Sequence, residues 1–512
     1  MNNTKSNLKF FLDIRSITML FYGFSAGMPI LLIFSSLSLW LREAGVERSA
    51  VTYFSWAALG YSFKFIWAPL IDKFEFPYLT RLMGRRRSWI IFSQFMIILS
   101  ILFIAFIDPA SSKDSLFYMG IAAVMLGFSS ATQDIVIDAY RIESAPIELQ
   151  AILSASYIGG YRVGMIASGA GALFIASYLG STKTNYNYEA WKITYICMAL
   201  FMLIGVLTTI LRPEPKHSKI LDKDKNIKNN LNFFFLFLVI VACFISSFVY
   251  LKDFSDIIRE SLISFLYNES LAGFISNTTR LVISLLTCSL SILLINKTKL
   301  VDTQSVRQSY LKPIQCFFNE NGKKLSILLL LLIGSYRVSD IVLGVISNVF
   351  YQDMGYTKDQ IATVVKTFGL VMTILGGFIG GFFTVRFGII KMLLWGAILS
   401  AGTNLLFLLL AKVGNSLPML YLVISADNLS AGLASAAFVA FLSSLTNVEF
   451  TAVQYAIFTS LMTLLPKILG GYSGSMVDSF GYTSFFTFTT ILGLPVLYLI
   501  FLIRPYIKNN KL

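Results

Sequence analysis

The chain has 512 residues, of which 56% are hydrophobic, 15% aromatic and only 13% charged, against about 25% charged in a soluble domain. A mean hydropathy of +0.72 leaves too little polar surface to cover a water-soluble globule, so the composition excludes that class and gives a polytopic membrane protein. The net charge of +14 does not mark a nucleic-acid binder, because the basic residues fall in short loops between apolar runs and no nucleic-acid motif accompanies them.

The chain opens on "MNNTKSNLKFFLDIR", which is short and basic. The first apolar run, 17–41, is too long for a signal-peptide core and lacks a small-residue cleavage site, so it reads as the first span with the N-terminus in the cytoplasm. A crossing helix needs about 20 mostly apolar residues. Such runs fall near 16–41, 50–71, 88–107, 116–140, 150–179 and 190–211, then 232–251 and 280–295, then 325–350, 360–385, 388–411, 417–445, 451–475 and 482–503. Six, two and six spans follow, about 14 in all. With the N-terminus inside, 26 of the 41 Lys and Arg residues lie in cytoplasmic segments and 10 in outside segments, the asymmetry that the positive-inside rule requires.

The expected fold is therefore an all-α polytopic membrane protein of the major facilitator type. It has an N-terminal six-helix bundle (1–211), a central insert with two extra helices (212–324) and a C-terminal six-helix bundle (325–512). In that plan the solute site lies between the bundles near the midplane. The insert reads as a peripheral helical hairpin that takes no part in transport.

Charged residues deep in spans cost about 2.5–3.5 kcal/mol each on insertion scales, and persist where they line a wet cavity or pair inside the bundle. Nine candidates meet this description: Lys64, Asp134, Asp138, Arg162, Arg337, Asp340, Lys366, Asp427 and Lys467. Their order follows the repeat. Lys64, Asp134 and Arg162 sit on spans two, four and five of the first half, and Lys366, Asp427 and Lys467 on the same ordinal spans of the second. Asp134, Asp138 and Arg141 are spaced i, i+4, i+7 and share one helix face. Arg141 is placed to pair Asp138 across one turn. Asp134 is left without a local partner, either as a proton-coupling acid or in an ion pair with Lys64 or Arg162. Arg337 and Asp340 form either a self-neutralising pair or a solute clamp. Five cations face four acids inside the membrane, which suits an anionic solute. The glycines around Arg162 and in "GGFIGG" (376–381) and "GGYSG" (470–474) read as helix contacts, since no strand–helix context supports a phosphate loop.

The four cysteines, Cys197, Cys243, Cys288 and Cys316, form no CxxC pair, and His217, the sole histidine, lies in a polar loop. No catalytic group, metal site or cofactor is expected, and the chain is not read as an enzyme. A membrane enzyme would need a general base and a reaction site, and a solute sensor would show no counterflow.

Several stretches resemble the AmpG family of muropeptide permeases: "GFSAGMPILLI" (23–33), "FKFIWAPLIDKFEFPYLTRLMGRRRSW" (63–89), "SSATQDIVIDAYRIE" (129–143), "YIGGYRVGMIASG" (157–169), "YRVSD" (336–340), "VVKTFGL" (364–370) and "FVAFLSSLTNVEFTAVQYAIFTSL" (438–461). The resemblance covers about 15–211 and 312–504. It implies an inner-membrane transporter that imports N-acetylglucosaminyl-anhydromuramyl peptides with the proton gradient. A related branch handles acetyl-CoA, so another anion such as a sugar phosphate or a peptide stays open. The resemblance also implies a cytoplasmic gate with Asp72, Arg85, Arg86, Arg87 and Arg141 as members. Here Asp72–Lys73 and the arginines are separated by ten residues, 74–83, a departure from the superfamily's usual spacing. "RVSD" likewise departs from the commoner Lys-Leu-Gly-Asp while keeping charge and spacing. The expected partners are a small anionic solute, protons and membrane lipids, with no nucleic acid. A monomer is expected, although the sequence leaves the oligomeric state open.

Overall fold

In a computed structural model, residues 13–46, 61, 64–181, 185–215, 227–266, a broken set between 272 and 291, 311–356, 360–470 and 473–509 are described. They are helical almost throughout. The first half comprises α1 (Ile14–Leu31), α2 (Leu37–Glu43), α3 (Ala68–Lys73), α4 (Leu79–Met83), α5 (Arg85–Ala105), α6 (Lys113–Ser144), α7 (Gln150–Ile166), α8 (Ala172–Tyr178) and α9 (Tyr188–Leu211). The insert contributes α10 (Ile227–Leu266) and α11 (Lys312–Asn321). The second half comprises α12 (Lys323–Ser335), α13 (Val338–Asp353), α14 (Gly369–Phe387), α15 (Ile389–Val413), α16 (Leu417–Ser444), α17 (Thr451–Gly470), α18 (Ser473–Ile491) and α19 (Gly493–Asn509).

Ten helical stretches among the described residues are long and apolar enough to cross a membrane, which makes this a multi-pass membrane protein. The expected count of fourteen is not reached among them. Most of the run 50–71 lies outside the described residues, Val448–Leu464 is a shorter apolar helix, 280–295 is described only in part, and α10, which carries the run 232–251, is not among the ten.

Glycine decides how the first half closes. On α1 and α7 the small residues face each other with nothing between the backbones. A Cβ on Gly160 would lie 1.9 Å from the Leu20 carbonyl oxygen, and one on Gly27 would lie 2.0 Å from that of Tyr161. The second half repeats the device between α14 and α16, where a Cβ on Gly376 would lie 2.1 Å from the Leu429 carbonyl oxygen. Without a large apolar gain from helix association in lipid, close approach of this kind is the main source of packing energy. "GGFIGG" therefore does belong to a helix contact, while Gly471 and Tyr472 of "GGYSG" lie outside the described residues.

Two expected spans are interrupted. α1 passes through a π-helical turn, Leu32–Ser36, before α2, and α7 through another, Ala167–Gly171, before α8. The two turns meet: Ser36 Oγ donates to the freed Ser168 carbonyl at 2.8 Å, so the wider turns are braced rather than loose. The run 325–350 was expected as one helix, but a turn at Tyr336–Arg337 divides it into α12 and α13. Ser335 Oγ donates back to Leu331 O at 2.7 Å, a contact that bends helices.

The described parts of 227–266 and 272–291 pack against each other as two helical arms of a hairpin. Cys288 Sγ donates to Ile240 O at 3.7 Å, Arg280 Nε to Phe248 O at 2.6 Å, and Ser255 Oγ to Ser276 Oγ at 3.2 Å, so the arms run antiparallel. Ile240 and Phe244 share a buried cluster with Trp67, Leu70 and Ile71, which seats the hairpin beside α3. α10 runs for 40 residues, or about 60 Å at 1.5 Å per residue, far past the expected 232–251. No glycine or proline interrupts 227–266, so nothing local ends the helix where the charges begin.

Candidate functional site

Two constellations lie where the halves meet. The first is a latch at the face that carries residues Asp13 and Arg504. Gly84, at φ +91°, starts α5 there, and a Cβ on it would lie 2.5 Å from Glu214 Cδ. Glu214 accepts from the backbone N–H of Arg86 (2.8 Å) and Arg87 (3.1 Å), capping α5 from the end of α9. The Arg86 side chain is fully buried. Its Nη2 donates to Asp72 Oδ1 at 2.8 Å and to Glu143 Oε1 at 2.6 Å. Arg85 Nη1 donates to the Asp72 backbone carbonyl at 2.8 Å and its Nη2 lies 3.8 Å from Glu143.

From this cluster the Asp72 carboxylate reaches the second half, accepting from Ala452 N and Val453 N in the first turn of α17. Arg141 crosses the same seam. Its Nη1 donates to Gln150 Oε1 (3.2 Å) and Ser154 Oγ (3.0 Å) in its own half and to Ser443 Oγ (2.8 Å) on α16, and its guanidinium lies 5.2 Å from the Tyr455 ring centroid. Arg87 makes its side-chain contacts elsewhere. It turns away from the seam and donates to Thr209 O and Ile210 O, closing the C-terminal end of α9. The spacing 74–83 is accommodated because α4 folds the extra residues into one short helix before Gly84.

The second constellation is deeper. Lys64 Nζ lies 3.9 Å from Asp138 Oδ2, and Arg141 Nη2 lies 3.3 Å from Asp138 Oδ1, so Asp138 sits between two cations. Asp134, one turn along the helix, is buried. Among the described residues no cation comes within 4.0 Å of it, and the Tyr157 hydroxyl donates to it at 3.4 Å. Lys64 thus pairs with Asp138 more closely than with Asp134, and Arg162 pairs with neither. Arg162 is partly buried on α7, and among the described residues its side chain donates to one acceptor, the Met165 sulfur at 3.6 Å.

In the second half Arg337 Nε lies 3.2 Å from Asp340 Oδ2, and its Nη1 donates to Ser435 Oγ on α16. Ser400 donates to Asp340. Asp427, partly buried on α16, accepts from Thr403 Oγ1 at 3.3 Å and has no cation within 4.0 Å among the described residues. Arg337 and Asp340 thus lie within ion-pair distance of each other, and Asp427, like Asp134, meets a hydroxyl donor and no cation within 4.0 Å among the described residues. Lys366 departs from the repeat. It is exposed on a π-helical segment, Ile361–Phe368, where its counterpart Lys64 is buried. The side chain of Lys467 lies outside the described residues.

Sequence reasoning missed Glu143, Glu214, Tyr157 and Ser435. Glu143 carried a signal, an acid two residues past Arg141 and still on the same helix. Nothing local marks Tyr157 or Ser435, because their partners are distant in sequence.

Membrane-crossing helices that hold ion pairs among them are the makings of a membrane transporter. The model of the Major Facilitator Superfamily matches residues 10–299 and 328–511, and the chain belongs to that superfamily. The transporter AmpG 4 of Rickettsia felis is 29% identical over 492 residues, covering 96% of this chain and 97% of its own. The anhydromuropeptide permease of Escherichia coli K12 is 25% identical over 505 residues, covering 98% of this chain and 82% of its own. Among solved structures, the proton:xylose symporter XylE bound to 6-bromo-6-deoxy-D-glucose has a TM-score of 0.62 at 12% identity, covering 97% of this chain and 96% of its own. The likeness to XylE shows the fold.

Proposed function

We propose that the chain imports N-acetylglucosaminyl-anhydromuramyl peptides across the bacterial inner membrane, coupled to protons. The observation that carries this reading is the set of charges inside the bundle, buried in the first half and partly buried at Arg337, Asp340 and Asp427 in the second, in a chain whose relatives along nearly its whole length include an anhydromuropeptide permease. The first half is 1–211, the insert 212–324 and the second half 325–512, with fourteen spans and both termini in the cytoplasm. On that orientation the latch face is cytoplasmic and the state is closed toward the cytoplasm.

Asp134 and Asp427 are the proton carriers. A carboxylate held among helices with one hydroxyl donor and no cation within 4.0 Å is costly to keep ionised. Asp138 and Asp340, already held by cations, keep the local structure ionised and fixed. Protonation and solute binding together favour the inward-open state by binding it better. A monomer suffices, since every group named lies in one chain.

Proteoliposomes with an imposed pH gradient should accumulate a radiolabelled anhydromuropeptide. Uptake by folded protein no greater than that of the Asp134→Asn variant would refute the proposal. A second reading, import of another anionic solute such as an acyl-nucleotide, a sugar phosphate or a peptide, is favoured by the fork of Arg162, which suits any carboxylate or phosphate. A competition panel of those solutes against the muropeptide separates the two.

A further inference from the structure

The two halves start their third spans alike and cap them differently. Gly84, at φ +91°, begins α5, and Gly388, at φ +87°, begins α15. The sixth spans correspond as well: Leu211-Arg212-Pro213-Glu214 closes the first half, and Ile503-Arg504-Pro505-Tyr506 lies near the end of the second. α9 stops at Leu211, which lets the Glu214 carboxylate turn back onto the N–H groups of Arg86 and Arg87. In the second half Tyr506 stands where the acid stood, and α19 stays helical to Asn509. Among the described residues no side chain accepts from the equivalent N–H groups of Ile390 and Lys391. A cavity of about 370 Å³ lies there, lined by Gly388, Ile389, Ile390, Lys391 and Arg504. Its remaining wall is apolar and comes partly from the first half. α7 and α14 touch at Ala151, whose carbonyl oxygen would lie 3.1 Å from a Cβ on Gly381. Toward the helix ends Ile147, Phe387 and Phe441 line the opening, with Ile147 and Phe387 exposed. Lys391 and Arg504 are exposed too, and neither has a carboxylate within 4.0 Å among the described residues. Glu148 is the single acid on the lining, against these two bases.

We infer that this cavity binds an anionic phospholipid of the adjacent leaflet, whose phosphate takes the place that the Glu214 carboxylate holds in the first half. A helix N-terminus with bare N–H groups attracts any anion. Lys391 and Arg504 add two cations at the same mouth, and the repeat-related position on α5 holds an oxyanion. The apolar wall selects among oxyanions. A free phosphate gains nothing from Ile147, Phe387 and Phe441, whereas an acyl chain buries its CH2 groups against them. The net positive lining favours an anionic headgroup over a zwitterionic one. The site is independent of which solute the chain carries.

The test is lipid retention by the full-length protein in detergent, read by native mass spectrometry. The probes are phosphatidylglycerol and phosphatidylcholine with the same acyl chains. The wild type should hold one phosphatidylglycerol on the order of tenfold more tightly than phosphatidylcholine. Lys391→Gln combined with Arg504→Gln should hold the two lipids equally. Both residues are exposed, so the core packing is untouched. A single elution peak checks this, and if the pair fails, either single variant replaces it and should lose part of the preference. Lys323→Gln combined with Lys324→Gln removes the same charge from exposed positions at the start of α12 and should leave the preference intact. An equal loss in that control overturns the inference, because a diffuse basic surface then explains the binding. So does equal retention of the two lipids by the wild type, or a preference that survives without Lys391 and Arg504. Excess inorganic phosphate should not displace the lipid, and displacement would overturn the inference in favour of a free oxyanion.

Discussion

The Asp72 carboxylate, on the last turn of α3, accepts hydrogen bonds from the backbone N–H groups of Ala452 (3.4 Å) and Val453 (3.1 Å) at the start of α17. One acid from the first half thus caps a helix of the second. Carboxylates at helix N-termini contribute roughly 0.3–2 kcal/mol according to burial. Asp72→Asn should shift the conformational equilibrium by about that amount toward the state open at this face. Spin-label distances between the ends of α6 and α16 read the shift, and an unchanged distribution would show that the contact does not hold the seam.

Glu143 is fully buried against Arg86, whose guanidinium is fully buried too. Removing one partner of such a pair strands a charge, at a cost of about 3–5 kcal/mol. Glu143→Gln should lower the unfolding temperature in detergent clearly, and more than Lys312→Gln, which breaks an exposed pair with Glu449 at 3.4 Å. Equal unfolding temperatures for the two variants would contradict this.

Gly160 and Gly120 make a matched comparison. A side chain on Gly160 meets the Leu20 backbone, whereas nothing lies within 4 Å of a Cβ on Gly120. Overpacking typically costs about 1–3 kcal/mol, and backbone cannot move aside as a flexible side chain can. Gly160→Val should sharply reduce the yield of folded protein, while Gly120→Ala leaves it unchanged. Normal yield and unfolding for Gly160→Val would disprove the close approach of α1 and α7.

Asp134→Asn and Asp427→Asn each mimic a protonated acid without changing shape. Each should keep solute counterflow and lose the response of uptake to an imposed pH gradient. A variant that still concentrates solute against its gradient removes that acid from the coupling step.

Cys316 lies on α11, outside the membrane-crossing helices. Burial first, and then its S–H bond to Glu320 Oε1 at 3.2 Å, push the thiol up to about 11. The thiolate is the reactive form. In a variant with Cys316 as sole cysteine, maleimide labelling should therefore be slow near neutral pH and rise about tenfold per pH unit up to about 11. Glu320→Gln removes the acceptor charge that opposes ionisation, so it should speed labelling at any pH in that range. A plateau near the ordinary thiol range would contradict the assignment.

The sequence by itself determined the membrane class, most of the spans and the face shared by Asp134, Asp138 and Arg141. All of these follow from composition and helical spacing, which act within a few turns of one chain segment. Only the tertiary structure decided that Lys64 sits closest to Asp138, that Glu143 and Glu214 organise the arginines, that Arg87 leaves the seam, that α12 and α13 break at Arg337, and that Arg162 is left without an acid. Each of these depends on which helix lies opposite. That choice is made by glycine contacts and long-range ion pairs between residues scores to hundreds of positions apart, and no local pattern encodes them.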